Sequence, residues 1–139
     1  MLSEKSGLLW VITLSLVTAL LFFTVPNHLL SFDRDLIDKG EGWRIITGNL
    51  AHTNGWHLLL NLSGLAVLYS LFREYLTGWR LPVLLLLLGT AVGLGIWWWC
   101  PQTQWYMGLS GLLHGFSVWG ATQDIRSPRS PSRPTLLPI

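Results

Sequence analysis

Four polar side chains stand at helical spacing inside segments that are otherwise apolar. Ser110 and His114 are four residues apart in the stretch "GLSGLLHG", and His57 and Asn61 repeat that spacing earlier in the chain. Residues four apart lie on one face of a helix, so each pair can present both groups to the same neighbour. A serine with a nearby base can attack a carbonyl carbon, and hydrogen-bond donors beside it can hold the resulting oxyanion. The candidate chemistry is acyl transfer.

The serine motif differs from the nucleophile elbow of soluble hydrolases. That elbow has a glycine at its fifth position and a strand before the serine. The fifth residue here is Leu112, and an apolar spanning segment is expected to leave no place for a strand. The other interpretation is that Ser110, His114, His57 and Asn61 only hydrogen-bond between helices and hold them together. Spacing alone leaves both interpretations open.

The composition indicates which elements must position these residues. Charged residues make up 12% of the 139 residues and hydrophobic ones 50%, whereas a soluble domain has about 25% charged residues. Apolar segments long enough to cross a bilayer predict four transmembrane helices, at about residues 7–25, 55–72, 81–100 and 105–121. The predicted fold class is therefore an all-α, polytopic helical membrane protein with one membrane domain over residues 1–121.

The segments between the predicted spans set the expected orientation. Lys5, Arg73 and Arg80 lie at span ends on one side of the membrane. Because lysine and arginine are enriched on the cytoplasmic side, the N-terminus is expected in the cytoplasm. Residues 26–54 form a loop on the other side that is too long for a simple hairpin, so part of it is expected to fold or lie in the interface. Residues 122–139, rich in proline, serine and arginine, are predicted to be disordered and unable to continue a helix.

Two further classes of function are disfavoured by the composition. The lysines and arginines are scattered, with no aromatic-interleaved basic patch, so no nucleic-acid partner is expected. A metal or haem carrier using His52, His57 and His114 is a third hypothesis, since imidazoles can be axial ligands. The chain has one cysteine, Cys100, and no sustained pattern of cysteine and histidine. No metal and no cofactor are therefore expected.

Three blocks in order resemble the rhomboid family of intramembrane serine proteases. They are "GWRIITGNLAHTNGWHLLLNL" at residues 42–62, "REYLTGWR" at residues 73–80 and "GLSGLLHG" at residues 108–115. The histidine after the serine motif and the compact size are most similar to the rhombosortase branch. The resemblance implies a rhomboid-like fold, with about four of the usual six spans present, and hydrolysis of a peptide bond in or near a client's transmembrane segment. It implies clients that are membrane-anchored exported proteins with a C-terminal Gly-Gly sorting tail, in the bacterial inner membrane.

Matched position by position, the resemblance implies a role for each residue of these blocks. Ser110 would be the nucleophile, and His57 and Asn61 would form the oxyanion hole with the backbone N–H of Ser110. His52 would support that hole near the helix entrance. The positions implied to be structural are Trp43, Arg44, Glu74, Gly78, Gly108 and Gly111.

The sequence departs from the family at the catalytic base. Rhomboids use a Ser-His dyad whose histidine lies on a sixth span, and no histidine follows His114 in this chain. We interpret the chain as a family member that is truncated or out of frame before its last helices, with impaired activity. His114 is a less favoured substitute: its spacing permits contact with Ser110, but nothing is expected to hold its ring in one tautomer. The alternative hypothesis is an inactive, rhomboid-like protein that binds clients without cutting them.

Overall fold

The computed structural model describes residues 2–127, with side chains from Lys5 onward, and is nearly all helical. In chain order the elements are α1 (Leu2–Thr24), α2 (Asn27–Leu30), β1 (Phe32–Asp33), α3 (Arg34–Asp38), α4 (Arg44–Thr47), α5 (Gly55–Phe72), a 3₁₀ turn (Arg73–Tyr75), α6 (Arg80–Trp99), β2 (Trp105–Tyr106) and α7 (Ser110–Arg126). We call the end of the bundle where α1 and α6 finish and α5 begins the loop end, because residues 26–54 cover it.

Three helices of the described residues are long and apolar enough to cross a membrane, over Lys5–Thr24, Gly55–Tyr75 and Arg80–Trp99. Leucines on these helices point outward: Leu16, Leu60 and Leu87 are each more than half exposed. Such side chains are stable against lipid tails and costly in water. The prediction of a polytopic helical membrane protein is confirmed.

The core of the bundle forms where α7 packs against α5 and α6. Leu65, Leu81 and Phe116 are completely buried there. Gly120 brings α7 close to α5, because a Cβ at that position would overlap the ring of Phe72. Small residues let helices approach closely where no hydrophobic force drives them together.

The segment predicted as a fourth span, residues 105–121, is not among the three candidate spans of the described residues, and it is organised differently from the prediction. Its first two residues form strand β2, and helix α7 begins only at Ser110. The helix then runs 17 residues to Arg126, past the boundary expected at Ala121. The prediction that residue 122 onward cannot continue a helix is wrong for residues 122–126. The first proline after the start of α7 is Pro128, so no proline interrupts the helix before that position. The rest of the predicted disordered tail, residues 128–139, lies outside the described residues.

The long loop is folded, as expected, and buried Arg44 holds it together. Arg44 is 3% exposed, and its Nε bonds the Glu41 carboxylate at 2.5 Å. Its Nη1 donates to the carbonyls of His28 and Ser31 at 2.8 and 2.9 Å. Charge-assisted bonds of this kind are strong, and the planar guanidinium can make several at once. One side chain thus joins three parts of the loop.

A short ladder joins this loop to the approach of α7. Strands β1 and β2 pair antiparallel, with Phe32 opposite Tyr106 and Asp33 opposite Trp105. The expectation that no strand could precede the serine is therefore wrong. The strand fits because it lies at the loop end, ahead of the helix, where a second short strand satisfies its backbone groups.

The side chain of Arg34 closes the loop end of α6. Its guanidinium donates to the carbonyls of Ile96, Trp97 and Cys100 at 2.9–3.0 Å and lies 4.9 Å from the centroid of the Trp97 ring. The last carbonyls of a helix have no partner within it, and a cation there also interacts favourably with the partial negative charge of the helix C-terminus. A fourth bond, from Nε to the Thr103 carbonyl at 3.0 Å, extends this cap into the segment that leads to α7.

Candidate functional site

The start of α5 places two of the predicted site residues on one face. Asn54 caps the helix, its side-chain oxygen accepting the backbone N–H of His57 at 2.9 Å. An asparagine at this position satisfies one of the free N–H groups of the first turn. His57 therefore lies in the first turn, half-buried, and Asn61 lies one turn deeper, buried.

His52 lies in the loop and is hydrogen-bonded to Asn61. Its ring is completely buried, with Nδ1 at 3.1 Å from the Leu50 carbonyl and Nε2 at 3.0 Å from the Asn61 amide nitrogen. A carbonyl can only accept, so the proton is assigned to Nδ1 and Nε2 accepts from the amide. This bond fixes the Asn61 side chain with its amide nitrogen toward His52, and leaves the second amide proton free to bond elsewhere.

The environment of His52 favours its neutral form. Burial lowers the pKa of His52 below its ordinary value of 6.5, the nearby His57 ring lowers it further, and the hydrogen bond to Leu50 opposes these effects. The two rings are edge to face, with centroids 5.0 Å apart. A neutral His52 can accept the Asn61 amide proton, whereas a protonated ring would carry hydrogens on both nitrogens and lose that bond.

Thr53, which the sequence analysis did not single out, sets the tautomer of His57. The Thr53 hydroxyl lies 3.1 Å from His57 Nδ1, and the Thr53 backbone N–H donates to the same nitrogen at 3.5 Å. Because an N–H can only donate, Nδ1 is the acceptor, and a neutral His57 carries its proton on Nε2. The ring therefore presents a donor on the side away from Thr53.

That donor edge lies against Gly108, the first residue of the serine motif. A Cβ at Gly108 would be 2.6 Å from both Cε1 and Nε2 of His57, and 3.2 Å from the Asn61 amide nitrogen. The backbone of Gly108 has a φ of +110°, a conformation that other residues rarely adopt. Its N–H donates to the Gly48 carbonyl at 2.9 Å, which fixes the turn against the loop. The two sequence blocks predicted to share a site are in contact.

Ser110 stands at the first position of α7 beside these donors. As an N-terminal helical residue it has no acceptor for its N–H within the helix. With Asn61, Leu113, His114 and Ser117, it lines an open cleft of about 230 Å³. A carbonyl group in this cleft would find a hydroxyl nucleophile together with backbone and side-chain donors, which is the arrangement that acyl transfer requires.

Tyr106 is a second residue that the sequence analysis did not single out. Its hydroxyl accepts the backbone N–H of Gly111 at 3.0 Å. A Cβ at Gly111 would lie 2.7 Å from that oxygen, so the glycine permits the contact. The second N–H of α7 is thus occupied, whereas the N–H of Ser110 has no acceptor within residues 2–127 and can donate to a ligand.

His114 is held in one tautomer, contrary to the expectation from the sequence. Its Nδ1 lies 2.7 Å from the Ser110 carbonyl oxygen, so Nδ1 donates and Nε2 carries the lone pair. The serine hydroxyl itself is not hydrogen-bonded to any of the chain's four histidines within residues 2–127. The structure therefore orients His114 but does not pair it with the Ser110 hydroxyl.

The remaining predicted positions are away from the cleft. Arg44 and Gly78 have structural contacts: Arg44 holds the loop, and Gly78, with a φ of +62°, donates its N–H to the Ser6 hydroxyl at 3.0 Å. Glu74 lies in the 3₁₀ turn, and the Trp43 side chain is 55% exposed. No cluster of histidine, cysteine and carboxylate side chains suited to a metal ion occurs in the described part of the chain.

Comparison with known proteins assigns the class. A model of the Rhomboid domain family matches residues 39–130, well over half of the chain, and includes all the residues of the cleft. No significant match was found among curated proteins or among solved structures. The chain belongs to the rhomboid family, whose members are generally intramembrane serine proteases.

Proposed function

We propose that this protein is an intramembrane serine endopeptidase of the rhombosortase type, with Ser110 as its nucleophile. The observation that supports this most is the contact of the Gly108 backbone with both His57 and Asn61. Helices that only pack together do not need two oriented hydrogen-bond donors at their contact. Here the donors converge on the turn that carries the serine.

In the proposed reaction, the Ser110 hydroxyl oxygen attacks the carbonyl carbon of the scissile peptide bond. The carbonyl oxygen takes the negative charge and accepts hydrogen bonds from the Ser110 N–H, His57 Nε2–H and the free proton of the Asn61 amide. Collapse of this intermediate leaves an acyl-enzyme and releases the amine, which takes up a proton. Water then hydrolyses the ester and restores the serine. Each oxyanion donor is worth about 10² to 10³ in rate where such donors have been removed.

The serine proton needs an acceptor, and this is where we propose that the 139-residue chain is impaired. His28, His52, His57 and His114 are the four histidines of the chain. His52 and His57 are used as described above, and His114 Nδ1 bonds the Ser110 carbonyl. Only His114 Nε2 is oriented and free at the cleft, so His114 stays the substitute base, and the expected rate is low.

The proposed clients are membrane-anchored exported proteins with a C-terminal Gly-Gly sorting tail, and the proposed location is the bacterial inner membrane. The N-terminus is proposed to be cytoplasmic, which would place the loop end on the outer side. The family and the apolar helices support a location in a membrane. The positions of Lys5, Arg73 and Arg80 at the opposite end of the bundle support the orientation. Glycines in a client would allow its backbone to approach Ser110 closely.

The alternative is a rhomboid-like protein that binds clients without cutting them. The observation in its favour is that the Ser110 hydroxyl has no histidine partner within residues 2–127. The two functions differ in whether Ser110 can become a nucleophile when a base is available.

A fluorophosphonate serine probe tests the proposal on the whole chain reconstituted in vesicles. The open cleft can admit a small diffusing base, so imidazole added to the buffer should raise labelling from near background. Ser110→Ala should abolish the label, and Asn61→Ala should lower it. Ser117→Ala, which removes another hydroxyl lining the same cleft, is the matched control and should label normally.

Three outcomes separate the possibilities. Labelling of Ser110 that depends on imidazole supports a peptidase site that lacks an efficient base. Labelling without imidazole that is lost in both Ser110→Ala and His114→Ala would make His114 the base. No labelling of Ser110 at any imidazole concentration, with retained capture of a Gly-Gly-tailed client peptide, would favour the client-binding protein.

A further inference from the structure

A second cavity, separate from the serine cleft, lies beneath the loop between two spanning helices. Its volume is about 290 Å³, and its walls are formed by α1, α4, α6 and the residues around the start of α7. Residues that represent these walls are Trp10, Leu14, Ile46, Leu85 and Leu112.

The cavity lies at the depth of the lipid tails and opens toward them. Its α1 residues, 10–17, fall in the middle of the span Lys5–Thr24, and its α6 residues, 82–89, fall within Arg80–Trp99. Val17 and Leu86 line it and are 42% and 56% exposed. These two side chains therefore flank an entrance from the hydrocarbon region.

The walls offer hydrocarbon and no charge. Among the residues that the structure describes, no lysine, arginine, aspartate, glutamate or histidine lines the cavity. Three uncharged side chains with polar atoms also line the cavity: Trp10, Thr13 and Asn49. The Asn49 nitrogen donates to the carbonyls of Ile46 and Gly89 at 3.0 Å, and its Oδ1 is buried with no hydrogen-bond partner among the described residues. A phosphate or ammonium group would therefore meet no opposite charge there, and burying a charge without one is costly.

The size of the cavity restricts what can fill it. A helix with its side chains is about 10 to 12 Å across, which is too wide for a cavity of this volume. An apolar cavity of about 150 Å³ already accommodates a benzene ring, and this one has nearly twice that volume. An empty void would forfeit the dispersion contacts of its walls, whereas a flexible tail from the surrounding lipid restores them.

We propose that this cavity binds one acyl tail of a bilayer phospholipid, which enters between Val17 and Leu86 and lies beneath α4. The tail contacts Leu109 and Leu112, which also line the cavity. Leu109 directly precedes Ser110, so the bound lipid supports the serine turn. The proposal does not depend on proteolytic activity.

Photochemical labelling tests whether an acyl tail occupies the cavity. The whole chain is reconstituted into vesicles of phosphatidylethanolamine and phosphatidylglycerol that contain a phosphatidylcholine with a diazirine in the middle of one acyl tail. After irradiation, labelled peptides are mapped by mass spectrometry. We expect label on cavity-lining residues between 10 and 17 and between 82 and 89, in excess of that on lipid-facing residues elsewhere.

The matched variants change the entrance or its neighbours. Val17→Phe with Leu86→Trp narrows the entrance and should abolish the excess label. Leu16→Phe with Leu87→Trp adds the same side chains at exposed positions that do not line the cavity and should leave it unchanged. All four sites are exposed, and circular dichroism checks that the helices are retained.

Either of two results would overturn the proposal. Label spread evenly over the exposed faces of α1, α5 and α6, and equal in both double variants, would mean only bulk lipid at the surface. Cavity residues that stay unlabelled while exposed residues react would mean that no tail enters.

Discussion

Replacing Gly108 by alanine tests the contact on which the candidate site depends. The substitution has two costs. The φ of +110° strains any residue with a Cβ, by about 1 to 3 kcal/mol. The new Cβ would also lie 2.6 Å from the His57 ring, so the ring or the serine turn must move. If His57 is an oxyanion donor, as proposed, its displacement should lower the rate of serine labelling by about 10²-fold or more.

Gly40→Ala is a control for the first cost. Gly40 has a nearly identical φ of +108°, but a Cβ there would meet nothing within 4 Å. Both variants should therefore lose stability through backbone strain, as measured by thermal unfolding in detergent, with Gly108→Ala losing more. Imidazole-dependent labelling should survive in Gly40→Ala and fall to the level of Ser110→Ala in Gly108→Ala. Equal unfolding temperatures with labelling intact in both variants would refute the close approach of His57 to the serine turn.

Three further predictions concern the support of this site. Thr53→Val removes a hydrogen bond to His57 Nδ1 worth about 1 kcal/mol and should lower imidazole-dependent labelling several-fold, while Thr53→Ser should retain it; equal labelling of both would exclude tautomer control by the hydroxyl. The pKa of His52 is lowered in the fold, so the unfolded chain binds a proton more readily. Stability should therefore fall as pH decreases below about 6.5, and His52→Gln should remove that dependence in pH-resolved thermal unfolding. A Cβ at Gly93 would overlap a carbonyl oxygen, whereas one at Gly95 would be 3.8 Å from its nearest neighbour; Gly93→Ala should thus lower the unfolding temperature and Gly95→Ala should not.

The parts of the fold that were predictable are those set by solvent. Long uncharged stretches had to become helices that face lipid, since a bilayer leaves few other options. The pair His57 and Asn61 was visible because a repeat of four residues places polar groups on one helical face. The family resemblance added the hypothesis that they act with Ser110, and the structure places both beside Gly108, two residues before it.

The errors in prediction arose where polar groups find partners far along the chain. Strand β2 was missed because its two residues need β1 as a partner, from more than 70 positions earlier. Thr53 was missed because its role depends on the direction of its hydroxyl, which contacts His57 Nδ1. The tautomer of His114 depends on the Ser110 carbonyl, and hydrogen-bond partners of this kind can only be assigned in three dimensions. The sequence did contain a weak indication of the role of Arg34, because a cation in the loop between two apolar spans is expected to have a hydrogen-bonding partner.

The cap that Arg34 places on α6 has a consequence for how the molecule assembles. The carbonyls it bonds lie 62 to 69 residues later in the sequence. Ordering contacts over such separations is slow and entropically costly. As the chain is synthesised, the loop must wait unanchored until α6 has formed, and only then can the β1–β2 ladder align the serine turn with His57. The serine turn is therefore among the last parts of the candidate site to become ordered, whereas the bonds that hold His57 and Asn61 all lie within residues 50–61.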